Sequence, residues 1–311
     1  MFFNSDDIDK NILFRKVYKY KIKINVNMVM ESLINPISAE KRPWNLFIIG
    51  LLYASIAVFL SNWMFKEHAS LIMVFLIVMA SIPLLYLTLK IETKKDTILK
   101  ASELTLLKEH GKALTFLIFL FLGCTVALVF WYVVLPSSLI QSTFSAQTST
   151  IQSINSRITG NVANIGVFLS ILMNNLKVLV FCILFSFLYG AGALFILMWN
   201  SSVIAAAIGN YIRIKLISVS GSLGFAKISS YLNIISLGFL RYLFHGVPEM
   251  IAYFIAGLAG GIISVGVINE KFGTRNFEKI VLDASDLILI SIAVIIIAAF
   301  LEVYVTPLFF M

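Results

Sequence analysis

Charge is what this sequence has least of. Only 13% of its 311 residues are Asp, Glu, Lys or Arg, while 59% are apolar and mean hydropathy is +0.94. Soluble domains are about half apolar and a quarter charged, so a chain this long could not hide that much apolar surface from water. Cysteine and histidine are scarce as well. Cys124 and Cys182 sit alone inside apolar runs, which excludes a disulfide framework or a CxxC metal motif and leaves two small buried hydrophobes. His68, His110 and His245 lie far apart, so no metal cluster and no cofactor is expected. Neither a nucleophile nor a ligand set accompanies His245, and the chain does not read as an enzyme. Residues 221–224, G-S-L-G, lack the lysine and spacing of a phosphate-binding loop.

What remains is a multi-pass helical membrane protein, because backbone in lipid must close its own hydrogen bonds. The expected fold is an all-α transmembrane bundle of about seven spans, or five spans plus a re-entrant helical hairpin, with short amphipathic surface helices. The net charge of +8 then reflects basic loops on one face of a membrane and does not call for nucleic acid.

Taken in order, residues 1–44 form a basic arm without the apolar core of a signal peptide. Residues 16–27 alternate basic with Val, Tyr or Ile, the period of a strand, and 28–36 suit a short amphipathic helix. Such a stretch suits anionic headgroups. Spans are expected at 45–64, 71–90 and 113–135, joined by a charged amphipathic linker at 90–112. Residues 136–174 carry one charge, Arg157, and apolar residues at steps of three, four or seven, a helical stripe on the outer surface or a lid.

The remaining region, 175–311, is glycine-rich. A fourth span is expected at 174–200, opened by Asn174 and Asn175, closed by Asn200, and packed through Gly190 and Gly192. Residues 201–215 are too short to cross and read as a half-length helix. Residues 225–268 read as a helical hairpin whose second arm offers Gly257, Gly260 and Gly261 for close packing. The final span is 286–306.

The turn of that hairpin, F-H-G-V-P-E at 244–249, holds the one compact pairing of ionisable groups beside an apolar span, His245 and Glu249. Gly246 permits a reversal, and Pro248 suits a first helical position, where Glu249 would meet the positive end of the dipole. The bland reading is a helix cap. The functional one is a polar centre of His245, Glu249 and Arg241, since an acid within a membrane span is a functional hypothesis by default.

Basic residues assign sidedness: eight in 1–44, six in 90–112, three in 201–230 and three in 269–285 against Lys66, Arg157, Lys177 and Arg241. That bias puts the amino terminus in the cytoplasm of a cell-membrane protein and the carboxyl terminus outside.

Three stretches carry a likeness. N-N-L-K-V, Y-G-A-G-A-L-F-I-L-x-W-N and F-H-G-V-P-E-x-x-A-x-x-I-A-G-x-A-G-G resemble the stage II sporulation protein M family of integral membrane proteins. The front half, with N-P-I-S-A-E-K-R-P-W, is similar to its archaeal branch, and the likeness covers roughly 33–268. It implies a membrane component of a larger machine and supplies no catalytic residues. Two classes of function follow. One is a scaffold for protein partners, with small-residue faces that would permit a homodimer. The other is a transporter, channel or lipid-handling permease using the His245/Glu249 centre.

Overall fold

The computed structural model describes residues 43–98, 103–158, 165–189, 193–219, 225–269 and 272–310. All fall in the unit from Pro36 to Met311. The basic arm, with its alternating stretch and short helix, lies outside the described residues, as do Gly190 and Gly192.

The described chain is helical almost throughout. Helix α1 (Trp44–Met64) is followed by a 3-10 turn (Lys66–His68), α2 (Ala69–Ile98) and α3 (Glu103–Val134). Two short helices come next, α4 (Ser137–Thr143) and α5 (Ser145–Ile158). Then α6 (Ile165–Tyr189), α7 (Ala193–Ser218), α8 (Phe225–Asn269) and α9 (Arg275–Phe300) complete the long set. A π-helical turn (Leu301–Val305) and α10 (Thr306–Phe310) continue α9. Seven of these helices are long and apolar enough to cross a membrane, the seventh continuing from Arg275 through the π turn to Leu308. Large apolar side chains such as Ile48, Phe75, Phe181 and Leu289 line the outside of the bundle, as lipid requires.

The count of seven agrees with the sequence, but the partition differs twice. First, 174–218 makes two crossings and not one and a half: α6 begins nine residues before Asn174 and α7 runs through Asn200. Second, α8 is continuous through Gly246 and Pro248, so the hairpin of 225–268 does not exist. The physical reason is the cost of a reversal in lipid. Breaking the helix would orphan up to four N–H and four C=O groups, each worth several kcal/mol without water. Carrying Pro248 inside a helix forfeits one backbone bond, about 3 kcal/mol. Likewise, 90–112 is no separate surface helix; α2 extends to Ile98 and α3 starts at Glu103.

Paired contacts set the directions. Trp44 meets Phe119 and Phe59 meets Trp131, so α1 and α3 run parallel. Thr125 meets Ser201 and Tyr132 meets Gly209, so α7 is parallel to α3. Against α8 the pairs are Ala193 with Gly257, Ile204 with Gly246 and Ile212 with Gly238, one antiparallel register. Helix α9 opposes α8 through Ile280 with Gly266 and Thr306 with His245. Successive spans therefore alternate.

The tightest crossing joins α1 to α3. A Cβ on Gly50 would strike the Leu120 carbonyl oxygen, and one on Gly123 the Phe47 carbonyl oxygen. Ala54, Ala57 and Ala127, all buried, extend the small face. Helices α4 and α5 are firmly held. Asn62 donates to Thr143 and accepts from Ser142, Ser145 donates to Ser70, and Gln147 donates to the Ser70 carbonyl and to Ser202. Arg213 donates to the Tyr132 and Leu135 carbonyls, closing the carboxyl end of α3. This places Arg213 at the end of α3 away from the 90–112 lysines, a correction to the sidedness expected of 201–230.

Candidate functional site

The long helix α8 presents Arg241, His245, Glu249 and Tyr253 at intervals of four, one slowly turning stripe. Register fixes its depth. Glu249 is level with Ser201 on α7 and hence with Thr125 on α3, near the middle of the 117–134 span. An ionised acid at that depth costs about 3 kcal/mol on insertion scales.

Each member of the stripe takes its own partner. The Tyr253 hydroxyl donates to Glu249 Oε1 at 2.7 Å. His245 Nδ1 lies 3.3 Å from the Thr306 hydroxyl, on the far side of the helix interface. Arg241 points elsewhere: its guanidinium is 5.9 Å from the ring centroids of both Tyr211 and Tyr242. Eight residues, roughly 12 Å of helix rise, separate it from Glu249. So the structure places His245 and Glu249 on one face, bonded to different partners, while Arg241 stands apart.

Thr306 follows the π turn, and its hydroxyl also donates to the Leu301 carbonyl at 3.0 Å, five residues back. Such π turns are rare and often occur at functional sites. The turn carries a second acid, Glu302, within electrostatic reach of both Glu249 and Tyr253. The antiparallel pairing of His245 with Thr306 brings Glu249 opposite Glu302, one turn further along on each side. The centre is thus His245, Glu249 and Tyr253 from α8 facing Glu302 and Thr306 from the end of the seventh span.

Helix α6 completes the wall. Its buried positions Asn175, Leu179, Cys182 and Ser186 are spaced four, three and four. Ser186 donates to the Gly257 carbonyl at 2.6 Å, and Cys182 lies near Tyr253. These pairs, together with Ile183 against Gly260, set Asn175 level with residues 246–252 of α8, the stretch that includes Glu249. Asn175 is 5% exposed, and its Nδ2 has no hydrogen-bond partner among the described residues.

The other sequence-selected residues divide. Gly260 closes on the α6 backbone, a Cβ there lying 2.6 Å from the Ile183 carbonyl oxygen, and Gly257 touches Ala193. Gly261 is buried in α8. Gly246 is helical, and a Cβ there would make an ordinary contact with Ile204 at 3.6 Å. Asn174 and Asn175 stand inside α6 and Asn200 inside α7, donating to the Ile196 carbonyl, so none marks a helix border. Tyr253 was within reach of sequence reasoning as the next step of four after Glu249. Glu302 was too, as an acid inside the expected final span, 286–306. Among the described residues there is no group of three or more His, Cys, Asp and Glu that could hold a metal ion.

No curated protein and no solved structure matches the chain. The Stage II sporulation protein M family matches residues 113–307, from α3 through the π turn, which is more than half of the sequence. The chain belongs to that family. The match takes in the whole polar centre and leaves α1, α2 and the arm outside it.

Proposed function

We infer that this member of the Stage II sporulation protein M family is a non-catalytic scaffold, an assembly component of a membrane complex. The observation that carries the reading is the overhang of α8. Its register against α7 brings Ser218 level with Leu232, and that of α7 against α3 brings Val134 level with Phe239. Residues 225–238 therefore reach roughly 20 Å past the end of α3. Ile228, Leu232, Ile235 and Leu237 are exposed there. Apolar residues beyond the bundle need cover, and a partner protein supplies it better than water. A photo-crosslinker at Leu232, compared with one at Leu289 on the lipid face, tests this in native membranes. A protein adduct of defined mass at Leu232 alone supports the scaffold. Lipid adducts at both positions would refute it.

The amino-terminal arm is proposed to face the cytoplasm and to lie on anionic headgroups. What supports this is the sequence: the basic stretches 1–44, 90–112 and 269–285 adjoin the starts of α1, α3 and α9, which lie at one end of the alternating spans, while Arg213 and Lys215 stand at the other. A second copy of the chain is one partner that small helix faces would admit.

A second reading, transport, is favoured by the Glu249/Glu302 pair at mid-span. Purified protein in liposomes decides it. Cation or proton flux lost in Glu249→Gln, with fold and complex formation intact, would establish transport. No flux from the unaltered chain would leave assembly as the role.

A further inference from the structure

Two carboxylates face each other at the middle of a membrane, and among the described residues nothing basic is bonded to either. Glu249 Oε1 accepts from Tyr253, a neutral donor. Glu302 takes no cation from its own turn, whose sequence is L-E-V-Y-V. Arg241 acts electrostatically on His245 and stacks on Tyr211 and Tyr242, two turns from Glu249. From α6 the titratable group at this face is Cys182, and from α7 it is Tyr211, which meets Arg241. Buried charges in proteins are paired, ligated or neutralised. Here the protein supplies oxygens without the matching positive charge.

A second observation points the same way. On the α6 wall, level with the stretch of α8 that holds Glu249, Asn175 Nδ2 is buried and bonds to nothing among the described residues. A buried polar atom left without a bond calls for an ordered molecule to complete it. The π turn is the third element. It displaces the helix from regular geometry at the residue that brings Glu302 to the pair.

We propose that Glu249 and Glu302, with Tyr253, Thr306 and Asn175 around them, form a binding site for one exchangeable monovalent cation and its water between α6, α8 and the π turn. The occupant is a proton or an alkali ion, both of which hard carboxylate oxygens accept. Asn175 donates to the water, and Thr306 holds His245 in place at the rim. The site does not depend on the assembly role. It underlies the transport reading, yet occupancy can be measured where no flux occurs.

The test uses the full chain in detergent and follows unfolding against cation concentration. A ligand that binds the folded state alone raises the folded-to-unfolded ratio up to tenfold for each tenfold rise in its concentration. Stability is read from pH 5 to 9 in N-methylglucamine chloride, then in NaCl or KCl at equal ionic strength. A gain on acidification unaffected by metal assigns the proton, and a gain with Na or K ions at fixed alkaline pH assigns the alkali ion. In Glu302→Gln and Glu249→Gln the dependence should fall at least tenfold. A hydrophobic carbodiimide, which reacts with a protonated carboxyl group in an apolar site, supplies a readout without any variant. Its adduct should map to Glu249 or Glu302 by mass spectrometry and diminish with the bound metal ion or with alkaline pH. Flat stability in both series, undiminished dependence in both variants, or an adduct confined to other acids would each overturn the site.

Discussion

The closest approach in the bundle, between α1 and α3, gives the sharpest energetic test. Alanine at Gly123 would set its Cβ onto the Phe47 carbonyl oxygen, with Phe47 C at 2.9 Å and Cα at 3.0 Å. Alanine at Gly50 would strike Leu120 O and lie 2.9 Å from Cys124 N. All of these are backbone atoms, which cannot swing aside as a side chain can. Non-bonded carbons prefer about 3.5–4.0 Å, so the helices must part by something on the order of 1 Å. A gap of that size forfeits a quarter to a half of each dispersion well along the seam of Leu46, Ala54, Ala57, Cys124 and Ala127. Overpacking costs about 1–3 kcal/mol, against about 0.5–1 kcal/mol gained by replacing glycine within a helix. The net expectation for either variant is a loss of about 1–2 kcal/mol, a factor of roughly 5–30 in the folded-to-unfolded ratio. Gly246→Ala is the control, since its Cβ has room and only the helical gain should remain. Reversible unfolding in detergent reads all three. The double variant Gly50→Ala/Gly123→Ala should lose at least about 0.5 kcal/mol less than the sum, because helices already parted accommodate the second methyl. Equal stability of Gly50→Ala, Gly123→Ala and Gly246→Ala would refute the reasoning.

Three further outcomes follow from particular contacts. Gly260→Ala meets the Ile183 carbonyl oxygen at 2.6 Å, so it should lose about 1–3 kcal/mol in the same unfolding assay. Arg213→Met removes the bonds to Tyr132 O, Leu135 O and Ser137 Oγ; a loss of about 1.5–3 kcal/mol is expected, with faster amide exchange at the start of α4. Asn62→Ala breaks its two bonds to α4, so exchange should accelerate across 137–143 by about tenfold while α9 stays unchanged.

How much of this fold was legible follows from what each residue encodes locally. Uniform hydropathy announces a spanning helix whatever its neighbours, so α1, α3 and the crossing count could be read directly. Breaks between helices could not. Gly246 and Pro248 carry strong turn propensity, yet lipid penalises exposed backbone more than a helical proline, and α8 runs on. The same bias hid the division near 190–192, where an apolar run continues on both sides of a change of direction. Gly50 and Gly123 each begin a G-x-x-x-A step, so the tightest crossing had a signal in sequence, but one shared by other helices. Choosing between them needs to know which helices touch.

The polar centre shows where local reading stops. His245 and Glu249 were visible as an i, i+4 pair because both lie on one helix, and Tyr253 extends the same spacing. Glu302 and Thr306 join them from more than fifty residues away, through an antiparallel register that no window of sequence contains. Asn175 was expected to end a helix because amides favour caps. It stands instead on a buried stripe, where an unpaired amide is costly and persists only if something else is gained. The contrast with Thr125, Ser201 and Ser202 makes the point. Those hydroxyls are equally deep, yet they bond to each other or to carbonyls one turn back and leave nothing open. Satisfied polar groups in a membrane glue helices together. Gln147 leaves its Oε1 open too, but its Nε2 is bonded to Ser70 and Ser202 and no acid accompanies it there. At α6, α8 and the π turn an open amide coincides with two unbalanced acids, and that coincidence, not polarity in general, separates a working site from architecture.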